Sequence, residues 1–264
     1  MKIKDLPNHC NLRIPFYEYF VLDTLKIYTA ALFSAVTIMT DSPLENFNNS
    51  SHSDSTDPQK ASPEFYRTQH KLRLSYMPWL FFELKPAHKE WASRWQDDVQ
   101  SYLKAVETIQ IGTNCFIAPE AKLFAEPGRP IVIGDGSYIA ANCVLHGPIN
   151  IGKNVSINHH VTMDGGKVGI TIGDNSRIAA NCQLYAFNHG LLHDRLICDQ
   201  PTQSKGIFIG NDVWLGANAG VVDGVNIHDH AVVGMNSQVT RDIETYKIAA
   251  GNPATIIGDR RDKK

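Results

Sequence analysis

The sequence predicts an all-β chain wound into a parallel β-helix of hexapeptide repeats, preceded by a small N-terminal helical cap, and three observations carry that reading. The first is an aliphatic row. Ile209, Leu215, Val221, Ile227, Val233 and Val239 stand at every sixth position, and the row extends back through Ile172, Ile178 and Leu184, through Ile133, Ile139, Leu145, Ile151, Ile157 and Met163, and through Ile111, Ile117 and Leu123. At a hydrophobic fraction of 43%, a row of this length arises by chance with a probability on the order of 10⁻⁷. A six-residue period fits neither an amphipathic helix nor a half-buried strand; it fits a triangular coil with one short strand per side and one inward residue per strand. The second observation is that the residue after the aliphatic one is often Gly or Ala, as at Gly112, Ala118, Gly134 and Gly216, where the chain is expected to bend tightly between sides. The third is a further slot held by small or β-branched residues, among them Cys115, Ser137, Cys143, Val155, Cys182 and Ala219, with no large side chain among these. Each coil then buries its aliphatic row only against its neighbours, so folding is expected to be cooperative along the axis.

Bulk composition excludes several classes. With 25 basic and 27 acidic residues in 264, the net charge of −2 gives no electrostatic reason to expect nucleic acid. Five cysteines is an odd number, and Cys115, Cys143 and Cys182 fall in small interior slots, which reads as buried free thiols in a reducing, cytoplasmic compartment.

Taken in order, residues 1–62 read as a disordered or mispredicted extension. Residues 27–39 (IYTAALFSAVTIM) are apolar but too short for a membrane span, and Glu18, Asp23 and Lys26 interrupt any lengthening. A secretory signal fits poorly, because a Ser/Asn/Asp-rich stretch follows without a small-residue cleavage pattern. Met39 is the expected biological start, and residues 40–62 lack hydrophobic periodicity. Residues 63–107 turn helical. Pro86 can open a helix, and Trp91, Trp95, Val99, Tyr102 and Val106 make one apolar stripe, expected to pack on the first coil and cover its open strand edge. Residues 108–241 hold the coil and residues 242–264 a tail expected to pack on it.

Periodicity lapses at 124–132 (FAEPGRPIV), 164–171 (DGGKVGIT) and 185–208 (YAFNHGLLHDRLICDQPTQSKGIF). The last break is longer than ordinary connections, and loops of that size are usually functional or disordered. It carries two histidines, so chemistry is expected there.

The Asn188-His189 pair opening the long loop, the block IGNDVWLGANAGVVDGV and the closing GNPATIIG make residues 108–258 resemble the hexapeptide-repeat acyltransferases, in particular the sugar O-acetyltransferases of the galactoside, maltose and surface-polysaccharide type. The resemblance implies a left-handed coil, acetyl-CoA as co-substrate without a metal, a sugar or glycan hydroxyl as acceptor, and homotrimers with each active site between two prisms. It also implies His189 as general base. An alcohol attacks a thioester slowly unless its proton leaves as the bond forms, and neutral imidazole suits that task near neutral pH. Asp164 or a backbone carbonyl are the alternatives for orienting the ring. The resemblance further assigns the Ala217 N–H to the oxyanion and Trp214, Met235 and Thr240 to the coenzyme groove; packing between subunits is the other reading of Trp214. Asn158, His160 and Asp164 are candidates to bind the acceptor. Thr255 departs from the family, which has Arg or Lys there, and Arg241, Lys247 and Arg260 are the candidates to replace that charge.

Two rivals remain open. A zinc carbonic anhydrase on the same coil would use His189 and His193 with His146 or His160. A non-catalytic β-helix that only binds a partner is the other.

Overall fold

A computed structural model describes residues 62–263; the expected start at Met39 and the Ser/Asn/Asp-rich stretch lie outside them. Three helices, α1 (Pro63–Tyr76), α2 (Trp79–Phe82) and α3 (Pro86–Val106), lead into a left-handed β-helix of six coils. Each coil contributes one short strand to each of three parallel sheets. Face 1 begins at Ile109–Ile111, face 2 at Phe116–Ile117 and face 3 at Lys122–Phe124.

The aliphatic row stacks in register. Ile111, Ile133, Ile151, Ile172, Ile209 and Ile227 align on face 1. Ile117, Ile139, Ile157, Ile178, Leu215 and Val233 align on face 2. Leu123, Leu145, Met163, Leu184, Val221 and Val239 align on face 3. One inward residue per strand holds on faces 2 and 3, but face 1 adds a second at Ile109, Ile131, Ile149, Ile170 and Ile207, all buried. The small slots are interior as expected. Cys115, Cys143 and Cys182 are buried free thiols, and burial pushes Cys143 up to about 12 and Cys182 up to about 11.

The bends differ from the expectation. The left-handed φ falls three residues after the aliphatic position, at Asn114, Asn154, Asn181, Asp212, Asn218 and Asn236, where a short polar side chain tolerates it. The glycine directly after the aliphatic residue serves a different need: a Cβ at Gly134 would lie 2.6 Å from the Gly152 backbone of the next coil. Coil stacking, and not chain reversal, keeps that slot small.

At the N-terminal end α3 lies against the first coil. Gln96, 2% exposed, donates to Ile117 O at 3.0 Å and accepts from Ile117 N–H at 2.8 Å, while Gln100 donates to Cys115 O at 2.9 Å. One amide side chain thus supplies both partners that a preceding coil would have offered to the edge strand. Val99 and Leu103 close over the core, and α1 and α2 pack on face 2 through Leu74, Phe81 and Phe116. The apolar stripe of α3 is only partly spent on packing, since Tyr102 and Val106 stay exposed. At the other end the tail does more than pack: Lys247–Ala250 adds a parallel strand to face 2, and Thr255–Asp259 folds back antiparallel on it. Among the described residues no helix is long and apolar enough to cross a membrane.

Candidate active site

All three lapses of the hexapeptide row leave the prism after a face 3 strand: after Lys122–Phe124, Thr162–Asp164 and Gln183–Tyr185. They emerge at one corner, between faces 3 and 1, and there they enclose a cleft of about 390 Å³ lined by Arg129, Asp164, Lys167, Phe187, Thr202 and Ser204 among others. Ser204 binds two loops together. Its hydroxyl donates to Ala186 O at 2.6 Å and accepts from the Lys167 and Val168 N–H groups at 3.0 Å. Gly166 between them has φ +57°, and a Cβ there would come 2.4 Å from Ala186 O, so the close approach of the two loops requires glycine.

His189 stands one residue beyond a clasp. Asn188 and Gln203 exchange backbone hydrogen bonds at 2.7 and 2.8 Å, and the Asn188 side chain reaches Asp223 at 3.5 Å, fixing the base of the loop to the corner. On the far side Gly190 is buried against Gln200, whose amide bonds to Leu192 N–H, Leu192 O and Arg195 O and so gathers the loop tip around itself. The His189 ring is exposed, packs at 5.9 Å against Phe187, and among the described residues meets no hydrogen-bond partner. Both of its ring nitrogens are unpaired among the described residues.

Asp164 is committed elsewhere. Its carboxylate accepts from Arg129 at 3.0 Å and from the Gly166 N–H at 2.9 Å, and faces His146 Nδ1 at 3.2 Å; the other ring nitrogen of His146 faces Glu126 at 3.0 Å. The hydrogen bond from His146 holds the Glu126 carboxyl below its usual range. Glu126 and Arg129 went unnoticed in the sequence, and His146 was considered only as a zinc ligand, although a signal existed: the breaks follow runs of three, six and three aliphatic slots, all multiples of three, and so fall at the same corner.

The other candidates lie on the far edge of face 3. Asn158 and His160 belong to the turn between faces 2 and 3; Asn158 donates to Ile178 O, and His160, at φ +60°, contacts His159 and Asn142 beneath Tyr76. Ala217 and Met235 occupy the same edge on the fifth and sixth coils. The Ala217 carbonyl accepts from Asn236, and among the described residues its N–H meets no acceptor. Trp214, 53% exposed, faces outward on face 2 between Arg177 and Val232. Thr240 follows the last face 3 strand, on the His189 side. Within one chain, therefore, His189, Asp164 and Thr240 flank one edge of face 3, and Ala217, Met235, Asn158 and His160 the other. Of the candidates to replace the charge missing at Thr255, Lys247 is paired with Asp259 and Arg260 with Asp212, whereas Arg241 makes no ion pair among the described residues. His146 and His160 sit at different corners, and among the described residues no three His, Cys, Asp or Glu side chains converge as a metal site.

A family model described as the hexapeptide repeat of succinyl-transferase matches residues 163–186 and 206–241. The chain is 43% identical over 112 residues to a Staphylococcus aureus protein named as an acetyltransferase, covering 41% of this chain and 54% of that one. It is 48% identical over 54 residues to the chloramphenicol acetyltransferase of Agrobacterium fabrum, covering 20% of this chain and 26% of that one. The chain thus spans from about a quarter to about half the length of these curated relatives. Among solved structures, a point variant of AntD, an N-acyltransferase from Bacillus cereus in complex with dTDP-4-amino-4,6-dideoxyglucose and coenzyme A, superimposes with a TM-score of 0.55 at 26% identity, covering 62% of this chain and 90% of that one.

Proposed function

We propose that this chain, similar over part of its length to hexapeptide-repeat acetyltransferases, is an acetyl-CoA-dependent O-acetyltransferase whose acceptor is a hydroxyl of a sugar or glycan. The observation that carries the reading is the clasped His189, exposed and free of competing hydrogen bonds. In this mechanism the imidazole removes the acceptor proton as the oxygen attacks the thioester carbonyl. The tetrahedral oxyanion is met by the open N–H of Ala217, and collapse expels the coenzyme thiolate, which takes the proton back from the imidazolium. No covalent enzyme intermediate is required.

Geometry also supports a site shared between copies. His189 and Ala217 are separated in one chain by the length of a face 3 strand, roughly 10 Å for three residues. A base and an oxyanion donor acting on one reaction must both come within about 3 Å of neighbouring atoms. Their placement at opposite edges of face 3 favours a site in which His189 of one prism works with Ala217, Trp214 and Met235 of the next, and a homotrimer closes such an arrangement. The buried free thiols favour a reducing, cytoplasmic setting.

The similarity to AntD favours a second acceptor, the amine of an amino sugar, attacked by the same route. A thiol-release assay with acetyl-CoA tests the proposal, run against galactosides, chloramphenicol and an amino sugar alongside light scattering of the protein. Thiol release with a hydroxyl acceptor from a trimer is expected. Release with the amine alone would transfer the proposal to N-acetylation, and a fully active monomer would overturn the shared site.

A further inference from the structure

Among the described residues, two buried side-chain polar atoms have no hydrogen-bond partner: Ser75 Oγ and Glu120 Oε2. They belong to residues far apart in sequence, yet both line one groove of about 390 Å³ between α1, α3 and the first turn from face 2 to face 3. Buried polar atoms are ordinarily paired, because an unpaired one forfeits its hydration without return. Two orphans in a single groove therefore point to a missing partner.

The backbone gives neither atom an escape. Ser75 is 1% exposed and is pinned by its carbonyl, which accepts the Ala141 N–H at 2.7 Å. Glu120 stands three residues after Ile117, the slot that the coils above fill with Asn142, His160, Asn181, Asn218 and Asn236 in left-handed φ, and Glu120 does not share that conformation. Phe65, Leu72 and Trp95 make the rest of the groove apolar. Lys71 also borders it, but its ammonium lies 5.4 Å over the Trp95 ring and forms no ion pair with Glu120.

We propose that this groove is a binding site for a neutral, partly apolar alcohol, whose hydroxyl accepts from Ser75 and donates to Glu120. A hydroxyl does both at once. An ammonium would add a second positive charge beside Lys71 and could not accept from Ser75, and the volume suits a ring-sized body. The site is separate from the His189 corner and does not depend on the transferase reading.

The test is ligand-observed NMR titration of the full chain with 2-phenylethanol, with ethylbenzene as the same body lacking the hydroxyl. Saturable binding of the alcohol is expected, with ethylbenzene, Ser75→Ala and Glu120→Gln each weakening it about fivefold to tenfold, the worth of one lost hydrogen bond. Without ligand, Ser75→Ala should leave Tm unchanged or raise it, since it removes an orphan. Absence of saturable binding would overturn the proposal. So would equal affinity of the two probes, or a Tm lowered by several degrees in Ser75→Ala, which would reveal a partner within the fold. A change in sedimenting mass on substitution would assign the groove to a second copy of the chain and equally overturn the small-molecule site.

Discussion

The two edges of face 3 are built from the same repeat and treated in opposite ways. On the edge shared with face 2 every turn has the same length, and from the second coil upward the same slot carries a left-handed residue, from Asn142 at φ +59° to Asn236 at +58°. On the edge shared with face 1 the chain leaves the prism three times, once for the whole of 186–206, and returns in register: Leu184 still pairs with Val221, and Ile172 with Ile209, across the longest excursion. A stacked coil demands that each strand find the strand below. It demands nothing of the length of chain spent between one coil and the next, provided departure and return share a corner. One edge is thus free to vary, and the exposed histidine stands there, while the uniform edge offers backbone N–H groups such as that of Ala217 at fixed height.

The comparison is broken hardest at His189. His189→Ala should lower turnover by about 10²–10⁴, the usual worth of a general base, with Tm unchanged because the ring fills no slot in the stack. His193→Ala, on the same loop, should cost much less; equal losses from the two would withdraw the assignment.

The reverse pattern is expected inside the coil. Ile157, fully buried at mid-stack, should lose about 2–5 kcal/mol on replacement by Ala, measured by denaturant unfolding, because neighbouring coils cannot collapse into the gap without losing register. A loss below about 1 kcal/mol would mean that the core relaxes more freely than a stacked row allows.

At the capped end, Gln96→Ala leaves the Ile117 N–H and C=O without partners and should cost about 1–3 kcal/mol. Gln96→Glu keeps the acceptor but buries a carboxylate against the Ile117 carbonyl, and should cost at least as much as Gln96→Ala at neutral pH. Identical unfolding curves for wild type and both variants would show that water replaces the amide fully.

The smallest effect is acid sensitivity. Hydrogen bonds from His146, His230 and Arg261 hold Glu126, Asp212 and Asp259 respectively below the usual carboxylate range. A depressed folded-state value means stability present above the unfolded value and lost as pH falls through the folded one. Tm should therefore begin to drop only below about pH 4 from this source, and Asp212→Asn should flatten that drop. A slope unchanged by Asp212→Asn would remove the Asp212–His230–Arg260 contacts from the account.

The aliphatic row, the small slots, the three breaks and the family resemblance were all legible in residue order, because stacking imposes a strict period on side chains that must point inward, and a period survives in one dimension. The helix opening at Pro86 was legible for a similar local reason. Other features were not, since they pair residues whose separation follows no period. Gln96 capping Ile117, Asp164 held by Arg129 and His146, and Ser204 joining two loops each arise from loops or helices whose path only packing determines. The tail strand Lys247–Ala250 carries no aliphatic slot in phase with the row, and its pairing with Val232–Val233 became visible only in three dimensions. The sequence by itself determined the coil and, through the family resemblance it carries, singled out His189 on the long loop. Only the tertiary structure decided that Arg129 and His146 close on Asp164 and that His189 and Ala217 of one chain stand at opposite edges of face 3, because those facts depend on where each coil ends in space.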